Sequence, residues 1–288
     1  MHIVRFIHNT TSSLYYTHIY MALWNKITSV GNVEDRRGTR SVAGLGLTGV
    51  VVVLLFTYFS GGDVAGELLN QLQNVETGTS QTDNTKEFEG ADPYEVFASK
   101  VLGSGNDTWS KIFSKNNLTY LAPKLVLFRK TTESSCGGAV SQVGPHYCPT
   151  DHTIYLDETF FEELTRRFGA QGGDVAQAYV IAHEIGHHVQ NELGTLSEER
   201  TTSESVRTEL QADCYAGIWA YSIRNSGVFA QGEIKEAIDA AAAVGDDRIQ
   251  LKTSGKVSPE TWTHGSSEQR VNSFNKGYTS GSVQGCAL

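Results

Sequence analysis

The chain has 288 residues and a formal net charge of −9, from 23 Lys and Arg against 32 Asp and Glu. Its apolar content of 39% is ordinary for a globular protein and allows one large domain or two small ones. The acidic balance, with no basic stripe to neutralise phosphates, argues against a nucleic-acid partner.

Residues 1–40 read as a short cytoplasmic tail, with Met21 a second candidate start. From Ser41 to Gly62 the chain runs SVAGLGLTGVVVVLLFTYFSGG, without a charge until Asp63. An apolar run of about 18 residues is long enough to cross a bilayer as one helix. Arg36, Arg37 and Arg40 precede it, and Asp63 and Glu67 follow. The positive-inside bias then puts the N-terminus in the cytoplasm and everything after residue 62 outside. A cleaved signal peptide is the competing reading, but the run is long for one and no A-x-A site follows closely. Residues 63–90, rich in Gln, Asn, Thr and Gly, read as a solvated linker.

A folded domain is predicted over residues 91–288, opening near Asp92. Helical spacing covers Pro93 to Leu102, and Trp109 to Lys115 as a second helix. Lys124 to Arg129 and Thr153 to Leu156 read as short strands, with loop and edge strand between Cys136 and Asp151. Helices follow at Thr159 to Phe168, Asp174 to Leu193, Ser205 to Arg224 and Gly232 to Val244. A last helix runs from Ser266 to Lys276, with Ser266 or Ser267 as cap and Gly277 as stop. The expected class is α+β, a small mixed sheet with a mostly helical C-terminal half. Cys136, Cys148, Cys214 and Cys286 all fall on the predicted outer side, where an even number suggests disulfides. Of the three pairings, Cys136 with Cys148 and Cys214 with Cys286 is expected. Their spacing matches no zinc ribbon.

The sharpest feature is His183-Glu184-Ile185-Gly186-His187, inside the apolar stretch AQAYVIAHEIGHHVQ. Residues i and i+4 share a helix face, so two imidazoles converge on one point and can share a metal. Glu184 projects beside the metal's open position, where it can take a proton from water and return it to a leaving amine. Imidazole and carboxylate suit one catalytic Zn2+. Downstream, Glu209 and Asp213 are again i and i+4 on a predicted helix. Glu209 completes a His2Glu site, and Asp213 accepts the remaining ring N–H of His183. His188, His264 and Asp213 compete as third ligand; a solvated Glu209 paired with Arg207 or Arg248 is the plainer reading. His264 is the first candidate for an oxyanion donor, with Tyr155, Tyr179 and Tyr215 behind it. The stretch from Gly137 to Asp157 is a candidate strand edge for an extended peptide, or equally a loop stapled by a Cys136–Cys148 bridge.

The chain resembles the neutral zinc metallopeptidases of bacteria, a gluzincin-like group with a thermolysin-type site. The blocks that carry the resemblance are NVEDRRG at 32–38, CGGA at 136–139, GPHYCPTD at 144–151, IYLDETFF at 154–161 and AYVIAHEIGHHVQ at 178–190. They continue with SVRTELQADCYAG at 205–217, GDDRIQ at 245–250 and THGSSEQR at 263–270. The resemblance implies a zincin-like domain with His183, His187 and Glu209 as metal ligands and Glu184 catalytic. His146 departs from the pattern, which puts an aromatic residue there. The function expected is a membrane-anchored metallopeptidase acting outside the cytoplasm on peptides or proteins. A zinc hydrolase of another amide, such as one in a cell wall, and a non-catalytic tethered binding protein are the alternatives.

Overall fold

A computed structural model describes residues 22–37, 92–141, 144–170, 172–196 and 201–287. The transmembrane helix expected at 41–62 and the linker at 63–90 lie outside the described residues. Among the described residues, no helix is long and apolar enough to cross a membrane.

Six short strands and seven helices follow one another along the described chain. The strands are β1 (Val33–Asp35), β2 (Lys124–Leu127), β3 (Thr131–Ser134), β4 (Gly137–Val140), β5 (His146–Cys148) and β6 (Thr153–Leu156). The helices are α1 (Pro93–Lys115), α2 (Phe160–Phe168), α3 (Asp174–Glu192), α4 (Thr202–Ile223), α5 (Ile234–Ala243), α6 (Asp246–Ser254) and α7 (Ser267–Ser280). The class is α+β and mostly helical, as the spacing predicted.

The main sheet has the order β1-β2-β6-β5, with β1, β2 and β6 parallel and β5 antiparallel to β6. Side chains alternate across a strand, so each strand feeds two faces. Leu125, Leu127, Ile154 and Leu156 enter the helical core. Val126, Phe128 and Tyr155 point the other way and cluster with Ala139 and Cys148 under the β3–β4 hairpin. Both faces are covered, which explains the unbroken apolar run KLVLF: a sheet buried on both sides reads as continuous rather than alternating.

Caps set the helix starts. Asp92 accepts from the Glu95 amide at 2.8 Å, with Pro93 in the first turn. Capping boxes pair Thr201 with Glu204 and Ser266 with Gln269. Helix α3 is buried nearly all round, from Val175 to Gln190, so it forms the centre of the domain.

Four expectations need correction. The two helices read at Pro93–Leu102 and Trp109–Lys115 are one, α1, running through Gly103 and Gly105. Those glycines admit neighbours: a Cβ at Gly103 would lie 2.6 Å from the Val30 amide nitrogen, and one at Gly105 2.5 Å from Ile185. Gly277 does not stop the last helix, which ends at a left-handed Gly281. Helix α6 was not foreseen, because Ile249 and Leu251, two apart among nine otherwise polar residues, make no helical stripe to signal it.

The fourth correction concerns the tail at 1–40, since residues 22–37 belong to the folded body. The Leu23 amide donates to the Val228 carbonyl at 2.7 Å, and the Trp24 indole to Asp174 at 2.7 Å. Trp24 is buried and stacks on Trp219 with centroids 6.5 Å apart. The Gly31 amide donates to the Ser99 carbonyl at 2.7 Å, and β1 then adds to the edge of β2. Three-residue strands and single aromatic anchors carry no periodicity, so a segment this short shows no pattern in sequence. Both expected disulfides, Cys136–Cys148 and Cys214–Cys286, are present.

Candidate metal centre

Helix α3 supplies His183, Glu184 and His187, and α4 lies across it carrying Glu209 and Asp213. Gly186 sets how closely the two approach: a Cβ there would sit 2.8 Å from the Ala212 carbonyl oxygen. The close crossing brings three donor groups together, with Glu209 presenting one oxygen to each imidazole. His183 Nε2 lies 3.1 Å from His187 Nε2 and 3.1 Å from Glu209 Oε2, and His187 Nε2 lies 3.3 Å from Glu209 Oε1. Ligands roughly 2.0–2.1 Å from a tetrahedral zinc lie about 3.3 Å apart, so the triangle of these three groups has the spacing that one such ion needs. His183, His187 and Glu209 could hold one ion.

Charge points the same way. Glu184, Glu209 and Asp213 are three carboxylates in a poorly solvated pocket, against the single buried guanidinium of Arg270. Burial works against a charged His183, yet Asp213 and Glu209 outweigh it and lift the imidazole to about 10. Burial likewise raises Glu209, but His187 and His183 hold it well below the usual carboxylate range. A site that draws a proton onto His183 so strongly is short of positive charge, and a divalent cation would supply it. One Glu184 oxygen, Oε2, is buried without a hydrogen-bond partner. A buried orphan acceptor on the residue that follows His183 fits a place for a polarised water.

Behind the triangle each imidazole is held by its other nitrogen. His183 Nδ1 donates to Asp213 Oδ1 at 2.8 Å, which leaves Nε2 as the lone-pair side. Asp213 also takes the Tyr179 hydroxyl at 2.5 Å and Arg270 in two bonds, at 2.8 Å and 2.9 Å. His187 Nδ1 donates to Gln190 Oε1 at 2.9 Å. The Gln190 amide in turn donates to the Thr208 carbonyl at 2.8 Å and to Gln211 at 3.1 Å.

The structure brings His183, His187, Glu209 and Asp213 together, keeps Glu184 buried on the same helix, and sorts the other candidates. His188 is committed elsewhere, donating from Nε2 to the Leu121 carbonyl at 2.6 Å and accepting at Nδ1 from Tyr147 at 3.0 Å. His152, His188 and Glu192 form a second group with donor atoms within 4.8 Å. With both His188 nitrogens engaged, that group has no free set of three. Tyr155 faces the hairpin and donates to Asp151, while Tyr215 packs on Trp109 with centroids 5.0 Å apart. His264 sits in the loop before α7 with Nδ1 3.2 Å from Asp246, half exposed. Asp246 is itself fixed by the backbone amides of Thr263, His264 and Gly265 at 2.7–2.9 Å. Burial opposes a charged His264, but Asp246 and Glu209 raise its pKa. His146 stacks on Tyr155 at 5.4 Å, so the departing residue keeps a ring contact.

Sequence reasoning assigned no role to Arg270, Gln190 or Asp246. Gln190 was open to detection, being i+3 from His187 on the same helix face. Arg270 and Asp246 were not, because only the fold brings α7 and α6 to this site.

Two imidazoles and a carboxylate form the donor set that hydrolytic zinc centres use, and a buried glutamate stands next to the first imidazole in the chain. Residues 22–288 match the family described as "Putative neutral zinc metallopeptidase", and the chain belongs to that family. An uncharacterized protein of Escherichia coli K12, YpfJ, is 39% identical over 285 residues, covering 91% of this chain and 97% of its own. Uncharacterized proteins of Mycobacterium bovis (Mb2605) and Mycobacterium tuberculosis (Rv2575) are 44% identical over 215 residues, covering 68% of this chain and 72% of theirs. No solved structure matches the chain.

Proposed function

We propose that the protein is a membrane-attached zinc metallopeptidase that hydrolyses peptide bonds, with a zincin-like catalytic domain. The observation that carries this reading is the convergence of His183, His187 and Glu209 at separations of 3.1, 3.1 and 3.3 Å, with an orphaned buried oxygen on the adjoining Glu184. His183, His187 and Glu209 would hold the ion, and Asp213 and Gln190 would fix the two rings. Zinc bound there would lower the pKa of a coordinated water and polarise the scissile carbonyl. Glu184 takes the proton from the attacking water and passes it to the leaving amine. His264, aimed by Asp246, donates toward the oxyanion that develops on the carbonyl. The extended substrate lies along β5, the edge strand of the sheet, whose Tyr147 reaches Asn191 on α3 at 3.0 Å. Attachment through the apolar run at 41–62, with the disulfide-bearing domain outside the cytoplasm, belongs to the same reading.

The test uses the full chain in detergent, because starting near residue 88 would remove Trp24 and β1. Purified protein is loaded with zinc and offered a mixed quenched-peptide library beside the Glu184→Gln variant. The parent is expected to turn over with chelator sensitivity, and the variant to bind one zinc while losing at least about 100-fold in rate. Equal turnover by parent and variant would remove Glu184 from its role. Zinc binding without any turnover by the parent would move the reading to another amide substrate.

A further inference from the structure

The described residues 22–37 precede the apolar run at 41–62 in the chain, and those from residue 92 onward follow it. A run that crosses a bilayer once would put these two parts on opposite faces. Several independent contacts put them together. Val33, Glu34 and Asp35 pair in register with Leu125, Val126 and Leu127, so the edge of the main sheet is built from both sides of the run. Trp24 is buried against Trp219 and Phe97 and donates to Asp174, the first residue of the helix that carries His183. Lys100 of α1 donates to the Ile27 carbonyl at 2.6 Å. The two flanks also touch each other, since the Arg37 guanidinium lies 2.5 Å from Asp92 and 2.9 Å from Glu158. Of the arginines read in sequence as a cytoplasmic positive flank, the two described ones are occupied: Arg37 by Asp35, Asp92 and Glu158, and Arg36 by Glu34. Paired charges of this kind no longer argue for a cytoplasmic side.

We propose that residues 22–37 lie on the same face of the membrane as the catalytic domain, so that the run at 41–62 attaches the protein to lipid without carrying the chain across. The inference rests on the membrane attachment proposed above and replaces the single crossing expected from sequence. Its consequence is a domain held close to the bilayer at both ends of residues 38–91.

The test places single cysteines in the full-length protein at two exposed positions, Thr28→Cys before the run and Ser114→Cys on the far end of α1. Asn25→Cys, also exposed, gives an independent second position before the run. Native cysteines are all in disulfides and do not compete. Spheroplasts are treated with a membrane-impermeant maleimide, with and without detergent, and carbonate-washed membranes are collected. The expected result is membrane-bound protein in which all three positions label alike. Membrane-bound protein with Ser114→Cys labelled at once, and Thr28→Cys and Asn25→Cys only after detergent, would overturn the inference and restore the single crossing. Protein recovered from the soluble fraction would overturn the attachment itself, while like labelling there would leave the peptidase reading intact.

Discussion

His183 and His187 face the same point but are held from behind by unlike groups, a carboxylate and a carboxamide. A carboxylate behind an imidazole raises its basicity, while an amide orients it without adding charge. Gln190→Ala frees the His187 ring and is expected to weaken zinc binding by roughly 10–100-fold, as outer partners of metal ligands do. Competition against a chelating dye measures it, and unchanged affinity would show that His187 needs no such support. A second residue-scale prediction concerns pH. Burial first, and then the Asp174 carboxylate, push Glu236 up from an ordinary 4.5 to about 6. The folded protein thus binds this proton more tightly than the unfolded chain. The contribution is full below about 4.5 and is lost as pH rises through about 6. Glu236→Gln should therefore raise the melting temperature above its parent more at pH 8 than at pH 5. Equal gaps at both pH values would contradict the shift. At this scale the motif and its partners Glu209 and Asp213 were legible, because helical spacing is local. Arg270 and Asp246 were not, because nothing short of the assembled helices relates residues 57 positions apart to one carboxylate.

At the level of elements, the N-terminal segment matters most. It seals one end of the core where α1, α3 and α4 meet, and its largest contribution is the Trp24 indole. Truncating a buried aromatic side chain costs about 3–5 kcal/mol, and here it also strands the buried Asp174 oxygen that the indole satisfies. Trp24→Ala is expected to lose at least that amount in chemical unfolding, and a loss under about 1 kcal/mol would mean that the segment is not docked. Helix existence was readable for α2, α3, α4, α5 and α7 from apolar spacing and capping residues. The break read into α1 was wrong because glycine lowers helix propensity in isolation, while here it makes room for Val30 and Ile185. The strands β2 and β6 were visible as apolar runs. The strand β1 was not, since Val-Glu-Asp gains its place only by pairing with Leu125–Leu127.

Across the whole molecule the two disulfides do different jobs. Cys136–Cys148 closes a 12-residue separation and ties the β3–β4 hairpin to β5, whereas Cys214–Cys286 spans 72 residues and fastens the C-terminus to α4. On the chain-entropy account the longer loop contributes about 4 kcal/mol and the shorter about 3. Removing the Cys214–Cys286 pair by double alanine substitution should lower the melting temperature more than removing the other pair. It should also loosen the metal site, because Gln211 bridges the Cys286 carbonyl to Gln190. Calorimetry of both double variants decides this, and the opposite order would refute it.

The chemistry on offer was already written along the chain: two histidines and a glutamate at helical spacing, two further carboxylates on a second helix, and cysteines able to pair. Those follow from local rules, because a residue's neighbours three and four positions away are set once the helix forms. Only the tertiary structure decided which of the candidate groups meet, through a glycine that lets α3 and α4 close to contact. It also decided that residues on either side of the apolar run share one sheet. Strand pairing and helix crossing depend on atoms far apart in the chain, and no local pattern records them.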